Sequence, residues 1–322
     1  MVVFDSAAAT HYRGPLLATL AKRFDRVIEA TVPAGEDHKN VATVARLYDE
    51  ILPHHVDRRT PVFAVGGGVI GDTAGFLAAT VLRGVPFVQV PTTLLAMVDA
   101  SVGGKTGVNH AVGKNLIGAF HQPIAVFADP QTLRTLPPRE LRGGLAECIK
   151  HDILRDAEGF AKLEQNISRA IALDMNYLTD LVAHNVAIKA RVVEADPFEQ
   201  GERAHLNFGH TFGHAIETIS HYAFSHGESV ALGMAAAAQL AVDLGMLDDA
   251  SRRRIVAVIE SAGLPARGLR LDTEAVVDAM AFDKKVKDGK LRFVLPDRIG
   301  HVVVRDDVPV AAVKRAVKAI RG

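Results

Sequence analysis

Cysteine is almost absent. Cys148 is the one thiol in 322 residues, so no internal disulfide can form and a reducing compartment is expected. Charge of either sign is not in excess. Lys plus Arg and Asp plus Glu number 37 each, which gives no broad electrostatic footprint for nucleic acid or a membrane surface, so any anion site must be local. Long apolar runs are missing too. The longest, Val230 to Val242, is interrupted by Gly233 and Gln239 and falls short of the roughly 20 residues that span a bilayer. The opening MVVFDSAAATHYRG has no basic segment followed by a long apolar stretch, which argues against a secretory signal. There is no internal repeat and no low-complexity tract. What remains is a cytoplasmic enzyme or binding protein without a nucleic-acid or membrane partner.

The chain is 48% hydrophobic and 23% charged, enough to bury a sizeable core under a solvated surface, and its length suggests about two domains. Short β-rich runs punctuate the first half: MVVF, RVIEATV, PVFAV, PFVQVP and IAVFAD. Helix-like stretches such as HYRGPLLATLAKRF and KNVATVARLYDEIL lie between them. That alternation predicts a Rossmann-like α/β domain with a mostly parallel sheet. After LRTLPPREL, long amphipathic runs dominate, with one possible short strand at KLRFVLP. Pro137 and Pro138 mark the change, so an α/β domain over 1–138 and a mainly helical domain over 139–322 are expected.

Strand-like PVFAV runs into GGGVIGD, where Gly66, Gly68 and Gly71 fit G-x-G-x-x-G at a strand-to-helix turn. Such a turn lets backbone N–H groups approach a pyrophosphate, although the pattern alone fits a plain tight turn as well. The acid usually found about 20 residues downstream is missing from PFVQVPTT. Candidate ribose acids lie upstream instead: Asp5 at the end of the first strand and Glu36 after the second. Farther on, GGKT imitates the end of a P-loop, but Asp99 stands where the first P-loop glycine belongs, which excludes that motif. A glycine-rich loop remains, carrying Lys105, Lys114 and Asn115. Its lysines suit a phosphate monoester or simply a solvated surface.

The segment LNFGHTFGHAIETISHYAFSHGE concentrates imidazoles. His210 and His214, four residues apart, share one helical face, and His226 opens another predicted helix. Neutral imidazoles on helices make good zinc ligands, and Glu147 of GGLAECIK could add a carboxylate. Spacing by itself leaves surface or capping roles open and does not separate His210 from His214. His221 has no spacing argument behind it.

Together, GGGVIGDTAGF, VPTTLLAMVDASVGGKTGVNHAVGKNLIGAFHQP, LPPRELRGGLAECIKHDIL, LNFGHTFGHAIE, HGESVALGM and DKKVKDGKLRFVLPDRIG resemble the 3-dehydroquinate synthase family. This family belongs to the sugar phosphate cyclases and has a glycerol dehydrogenase-like fold. The resemblance covers about residues 33 to 300 and implies one zinc, or cobalt, on Glu147, His210 and His226, with His214 a substrate-site residue. It implies NAD at Gly67, Gly68, Asp72, Thr92, Thr93, Glu36 and Lys39, with Asp5, Lys114, Thr135, Leu136 and Glu140 nearby. It implies substrate contacts from Asp99, Lys105, Asn115, Lys150, Lys189, Arg203, Asn207, His214 and one of Lys284 or Lys285. In a homodimer, Arg83 would complete the neighbouring subunit's site.

The implied reaction converts 3-deoxy-D-arabino-heptulosonate 7-phosphate to 3-dehydroquinate and phosphate in the shikimate pathway of aromatic amino acid biosynthesis. It proceeds by transient NAD oxidation, phosphate elimination, re-reduction and intramolecular aldol closure. A cyclase of the same set acting on sedoheptulose 7-phosphate or glucose 6-phosphate is the nearest alternative. Its substrates lack the carboxylate that Lys189, Arg203, Asn207 and His214 would serve. Two departures stand out. The family's early Asp-x-Asn reads Asp5-Ser6-Ala7, and Glu202 and His205 stand where the family is commonly apolar.

Overall fold

The computed structural model describes residues 1–199, 201–221, 223–284 and 291–322. It divides into two compact units, Met1–Pro137 and Pro138–Gly322.

The first unit is built on strands β1 (Val2–Asp5), β2 (Glu29–Val32), β3 (Val62–Gly66), β4 (Phe87–Pro91) and the two-residue β7 (Ala125–Val126). They form one sheet in the order β2-β1-β3-β4-β7, and every pairing is parallel, with Val2 opposite both Glu29 and Phe63. Its helices are α1 (Ser6–Leu20), α2 (Val41–Ile51) and α3 (Gly68–Thr80). The apolar runs of β1 and β3 are continuous rather than alternating because helices cover both faces of a parallel sheet. On one face α2 buries Val44, Leu47 and Ile51, one stripe of its surface, against Val3, Val62 and Leu77. The predicted IAVFAD strand shrinks to β7.

One expectation is corrected. The glycine-rich segment with Lys105, Lys114 and Asn115 is no loop but an antiparallel hairpin, β5 (Lys105–His110) and β6 (Gly113–Phe120). Its glycines permit the pairing: a Cβ on Gly118 would lie 2.1 Å from the Thr106 carbonyl oxygen, and one on Gly107 would lie 2.6 Å from that of Ile117. Composition alone concealed this, because glycine is normally a sign of turns rather than strands.

The second unit comprises α4 (Pro138–Arg155), α5 (Ala157–Ile171), α6 (Met175–Ala195), α7 (His210–Ile219), α8 (His226–Asp243), α9 (Asp249–Ser261), α10 (Thr273–Lys284) and α11 (Val310–Ala319). The expected strand at KLRFVLP is β8 (Phe293–Arg298), and it gains a partner, β9 (His301–Arg305), across a tight turn where Gly300 takes φ 91. Helix starts follow local chemistry. Asp156, Asp174 and Asp248 cap α5, α6 and α9, and Ser225 with Glu228 makes a capping box at α8. The long apolar run Val230 to Val242 lies within α8, which is buried on nearly every side. Among the described residues no helix is long and apolar enough to cross a membrane.

Helices α4, α7 and α8 approach very closely, and glycine makes the approach possible. A Cβ on Gly227 would sit 2.4 Å from the Gly143 Cα, and one on Gly233 would sit 2.0 Å from the Gly209 carbonyl oxygen. Both obstacles are backbone, so neither can swing aside. We therefore expect Gly233→Ala and Gly227→Ala each to destabilise the protein by about 1–3 kcal/mol, as overpacking does. The check is chemical denaturation of each variant against the parent, with Gly14→Ala as control, since a Cβ there meets nothing within 4 Å.

A second expectation concerns pH. The His184 Nε2 lies 2.7 Å from the buried Asp152 carboxylate, which raises the imidazole's proton affinity. Asp152 is itself raised, by burial, with His184 opposing the shift. Both shifts make the folded chain hold more protons than the unfolded one. The stability this pair contributes is thus present below the ordinary histidine range and lost as pH rises through the raised His184 value. Melting temperature should fall as pH rises above the ordinary histidine value of 6.5, and His184→Gln should flatten that slope.

Candidate active site

Three side chains from three helices converge in the second unit. Glu147, deep in α4, is fully buried, and its Oε2 forms an ion pair with the buried ammonium of Lys150 one turn later. Its Oε1 faces two imidazoles, lying 3.8 Å from the His210 Nε2 and 3.6 Å from the His226 Nε2. One ligand atom from each of the three residues falls within 4.8 Å of the others.

His210 begins α7 and His226 begins α8. The His210 Nδ1 lies 3.1 Å from the Phe208 carbonyl oxygen, so it donates there and leaves Nε2 bare. Burial, reinforced by the nearby Lys150 cation, pushes the His210 ring well below its ordinary value and keeps it neutral. Burial would lower His226 too, but its carboxylate neighbours Glu147 and Glu217 outweigh that and lift it to about 9. The α8 start is held by Arg139, whose guanidinium donates to both oxygens of Glu228 at 3.0 and 2.6 Å. Two imidazole nitrogens and one carboxylate oxygen, converging with one ring already neutral, fit a divalent metal of the zinc type. His214 is exposed, and its ring centroid lies 5.2 Å from that of His210. Glu147, His210 and His226 make up one of the three-residue groups able to hold a metal among the described residues, and His214 is not in it.

The neighbouring polar residues sit on a fastened segment. Asp196 at the end of α6 accepts from the backbone of Gly201 at 2.7 Å and Arg203 at 3.0 Å. Arg203 is almost wholly buried and donates from Nη1 to the Pro197 carbonyl, while the Asn207 amide donates to Glu199. The unusual Glu202 and His205 now have a physical account. The Arg155 Nη2 donates to Glu202 and to the His205 Nδ1 at 2.9 Å, and burial, then Arg155, hold His205 neutral so that it can accept. This clasp fixes the 3₁₀ segment Glu202–Asn207 to the end of α4. Lys189 is buried on α6. Lys284 ends α10, described by its backbone alone, and Lys285 lies outside the described residues.

In the first unit the β3–α3 turn brings the glycines together. Gly67 caps α3, and a Cβ there would sit 3.2 Å from the Thr93 methyl, while one on Gly66 would sit 2.7 Å from the Asp5 Cβ. The Thr93 hydroxyl accepts from the Ala96 amide, and Thr92 is buried. Beside this turn the buried Lys39 ammonium bridges Asp72 at 2.6 Å and Asn115 at 2.5 Å. Asn115 takes a left-handed conformation, with φ 56, and its amide donates to Asn109, whose own amide donates to Glu36. Five residues far apart in sequence thus form one chain of hydrogen bonds from Glu36 to Asp72, with the backbone N–H of Asn115 making the link to the Asn109 side chain. A bare helix start with backbone N–H groups and no side chain in the way fits a pyrophosphate.

Other expected residues are placed as follows. The Asp5 carboxylate caps α1 through the amides of Ala7 and Ala8. Asp99 lies in the helical turn Ala96–Ala100, Lys105 opens β5, and Lys114 lies on β6. Thr135 shares a hydrogen bond with the Tyr12 hydroxyl, Leu136 follows it, and Glu140 is exposed in the first turn of α4. Arg83 is exposed on a turn where it and Leu82 both have positive φ, 67 and 51. Sequence reasoning missed Asn109 and Glu217. Asn109 gave no signal, since Glu36, to which its side chain donates, is distant in sequence. Glu217 did, because it stands seven residues after His210 and three after His214, on the same helical face.

Family models for the 3-dehydroquinate synthase N-terminal and C-terminal regions match residues 29–143 and 144–286. A curated 3-dehydroquinate synthase from Synechococcus sp. is 49% identical over 324 residues, covering 99% of this chain and 88% of the relative. Among solved structures, a 2-epi-5-epi-valiolone synthase from Streptomyces hygroscopicus subsp. jinggangensis 5008, with NAD+ and Zn2+ bound, superposes with TM-score 0.90 at 31% identity. A 2-deoxy-scyllo-inosose synthase complexed with carbaglucose-6-phosphate, NAD+ and Co2+ gives 0.88 at 26%. Each comparison covers 99% of this chain and 89% of the other. With the two family models together matching residues 29–286 and nearly half of its residues shared with a curated member, the chain belongs to the 3-dehydroquinate synthase family.

Proposed function

We propose that this chain is a 3-dehydroquinate synthase, a lyase that converts 3-deoxy-D-arabino-heptulosonate 7-phosphate to 3-dehydroquinate and inorganic phosphate. The near-full-length identity of 49% to a curated enzyme of that name carries the reading and favours it over the more distant cyclases. The pathway would be the shikimate route, the compartment the cytoplasm, and the working unit a homodimer in which Arg83 reaches the second subunit. Exposed apolar side chains at Leu116, Phe120, Ile124 and Phe127 of the first unit support a covering partner of the same kind.

Glu147, His210 and His226 would hold one zinc or cobalt ion. Gly67, Gly68, Asp72, Thr92, Thr93, Glu36 and Lys39 would hold NAD, with Asp5, Lys114, Thr135, Leu136 and Glu140 around it. Held there, the metal would supply Lewis acidity toward substrate hydroxyl oxygens and NAD would supply reversible hydride transfer. The chain's own residues supply position and charge. Lys150, ion-paired to Glu147, fixes the carboxylate's direction and adds a cation where an alcohol would lose its proton. His214, exposed beside the two ligand rings, suits the leaving phosphate as a hydrogen-bond donor and proton carrier. Lys105, Asn115, Asp99 and one of Lys284 or Lys285 would complete the phosphate and hydroxyl contacts. Lys189, Arg203 and Asn207 would serve the carboxylate.

A site that offers hydrogen bonds and positive charge to a substrate carboxylate stabilises a ligand lacking that anion far less, because those interactions are not made. Phosphate release should therefore be fast with the heptulosonate phosphate and negligible with sedoheptulose 7-phosphate or glucose 6-phosphate. A side-by-side phosphate assay, with the ring product identified by mass and NMR, decides this; comparable turnover of either neutral sugar would refute the substrate while sparing the fold. Arg203→Lys should retain only part of the activity, since an ammonium cannot reproduce the planar guanidinium fork.

The metal assignment has its own test. Glu147→Gln should weaken metal binding beyond the roughly 10–100-fold loss typical of outer-sphere partners. His214→Ala should keep the metal and lose turnover. Elemental analysis after gel filtration reads both, and an empty His214→Ala site would overturn the division of the histidine pair.

A further inference from the structure

The two imidazoles that face Glu147 are backed differently. Behind the His210 ring, Nδ1 meets a neutral backbone carbonyl, that of Phe208 at 3.1 Å. Behind the His226 ring stands a carboxylate: the Glu217 Oε2 lies 3.6 Å from Nδ1, while the Glu147 Oε1 lies 3.6 Å from Nε2 on the opposite edge. Glu217 is a buried side chain on α7, only 6% exposed, and carboxylates are rarely kept in such a place without a charged partner.

We infer that Glu217 is a positioning residue for the metal centre: it holds the proton of His226 on Nδ1, so that Nε2 is the nitrogen presented to the metal, and it raises that ring's donor strength. This inference rests on the metal reading given above and deepens it.

Two physical arguments support the assignment. The first is tautomeric. A neutral imidazole has one bare nitrogen, and an acceptor at the other decides which one. At 3.6 Å the contact is longer than a hydrogen bond, but it is an ion-pair distance, and the attraction of a carboxylate for an N–H is strong in a buried site. The second is charge balance. Lys150 lies against the Glu147 Oε2 and withdraws electron density from the one anionic ligand. A divalent cation beside a buried ammonium needs further negative charge, and Glu217 supplies it without occupying a coordination position. His226 is also the more exposed ligand ring, at 34% of its side chain against 13% for His210, so its orientation gains more from a fixed partner.

The test uses the full chain stripped of metal and titrated with zinc in competition with a chromophoric chelator, alongside the absorption bands of the cobalt-loaded protein. Glu217→Leu should weaken zinc binding by about 10–100-fold. Glu217→Gln, which keeps an acceptor but loses the charge, should weaken it less and shift the cobalt bands. Thermal melting of the metal-free variants separates a folding defect from this role. If the leucine variant does not fold, the glutamine variant decides: weaker binding supports the assignment and an unchanged Kd overturns it. Lowered metal-free melting with parental zinc affinity would make Glu217 merely structural and also overturn it. Should the parent bind no stoichiometric zinc, or Glu147→Gln bind it as tightly as the parent, the metal reading itself fails and this inference with it. Failure of the Glu217 variants alone leaves that reading intact.

Discussion

The close crossing of α4, α7 and α8 is the constraint on which the second unit depends. Helices ordinarily pack with their axes about 8–10 Å apart, separated by side chains. Here glycine meets backbone, Gly227 against Gly143 and Gly233 against Gly209, and the separation is removed. Because Glu147 follows Gly143 by one turn, and because His210 and His226 open the other two helices beside Gly209 and Gly227, the glycine contacts and the ligand geometry are the same geometry. Short side chains at the crossing set the reach of the long ones next to it. Every added methyl would act on the donor cluster through rigid backbone.

Electrostatics in the two units follow one scheme. The chain has no net charge, yet it buries single charges where they can work: Lys150 against Glu147 in one unit, Lys39 against Asp72 and Asn115 in the other. A buried pair of this kind gains little net stability, since desolvation offsets attraction. What it provides is direction. The Lys39 bridge fixes Asn115 in a left-handed conformation that a free chain rarely adopts, and so fixes the hairpin that carries Lys105 and Lys114. The Arg155 clasp on Glu202 and His205 does the same for the segment carrying Arg203 and Asn207. Glu202 and His205 thus tie down the backbone that bears Arg203 and Asn207.

Much of this was legible from residue order. Alternating apolar runs and helical stretches gave a parallel α/β unit followed by a helical one, because hydrophobic period and strand length are local properties. Quoted motifs gave the family, and with it Glu147, His210 and His226. Spacing could not separate His210 from His214, which share a helical face. The separation lies in where α8 and α4 cross that face, and His226 and Glu147 are distant in sequence. The hairpin was misread as a loop because glycine signals a turn in isolation, and only the partner strand shows that the missing side chains make room for a carbonyl.

The sequence by itself determined the family and most of the elements, and it pointed to Glu147, His210 and His226 as the donors we propose, since caps, periodicities and motif residues act over a few positions. Tertiary structure alone decided which nitrogen of each histidine faces inward, which carboxylate stands behind His226, and how Arg155 fastens Glu202 and His205. The physical reason is range. Secondary structure is set by neighbours along the chain, whereas a hydrogen bond or ion pair a few ångströms long joins residues far apart in order, and no local signal records which of them will meet.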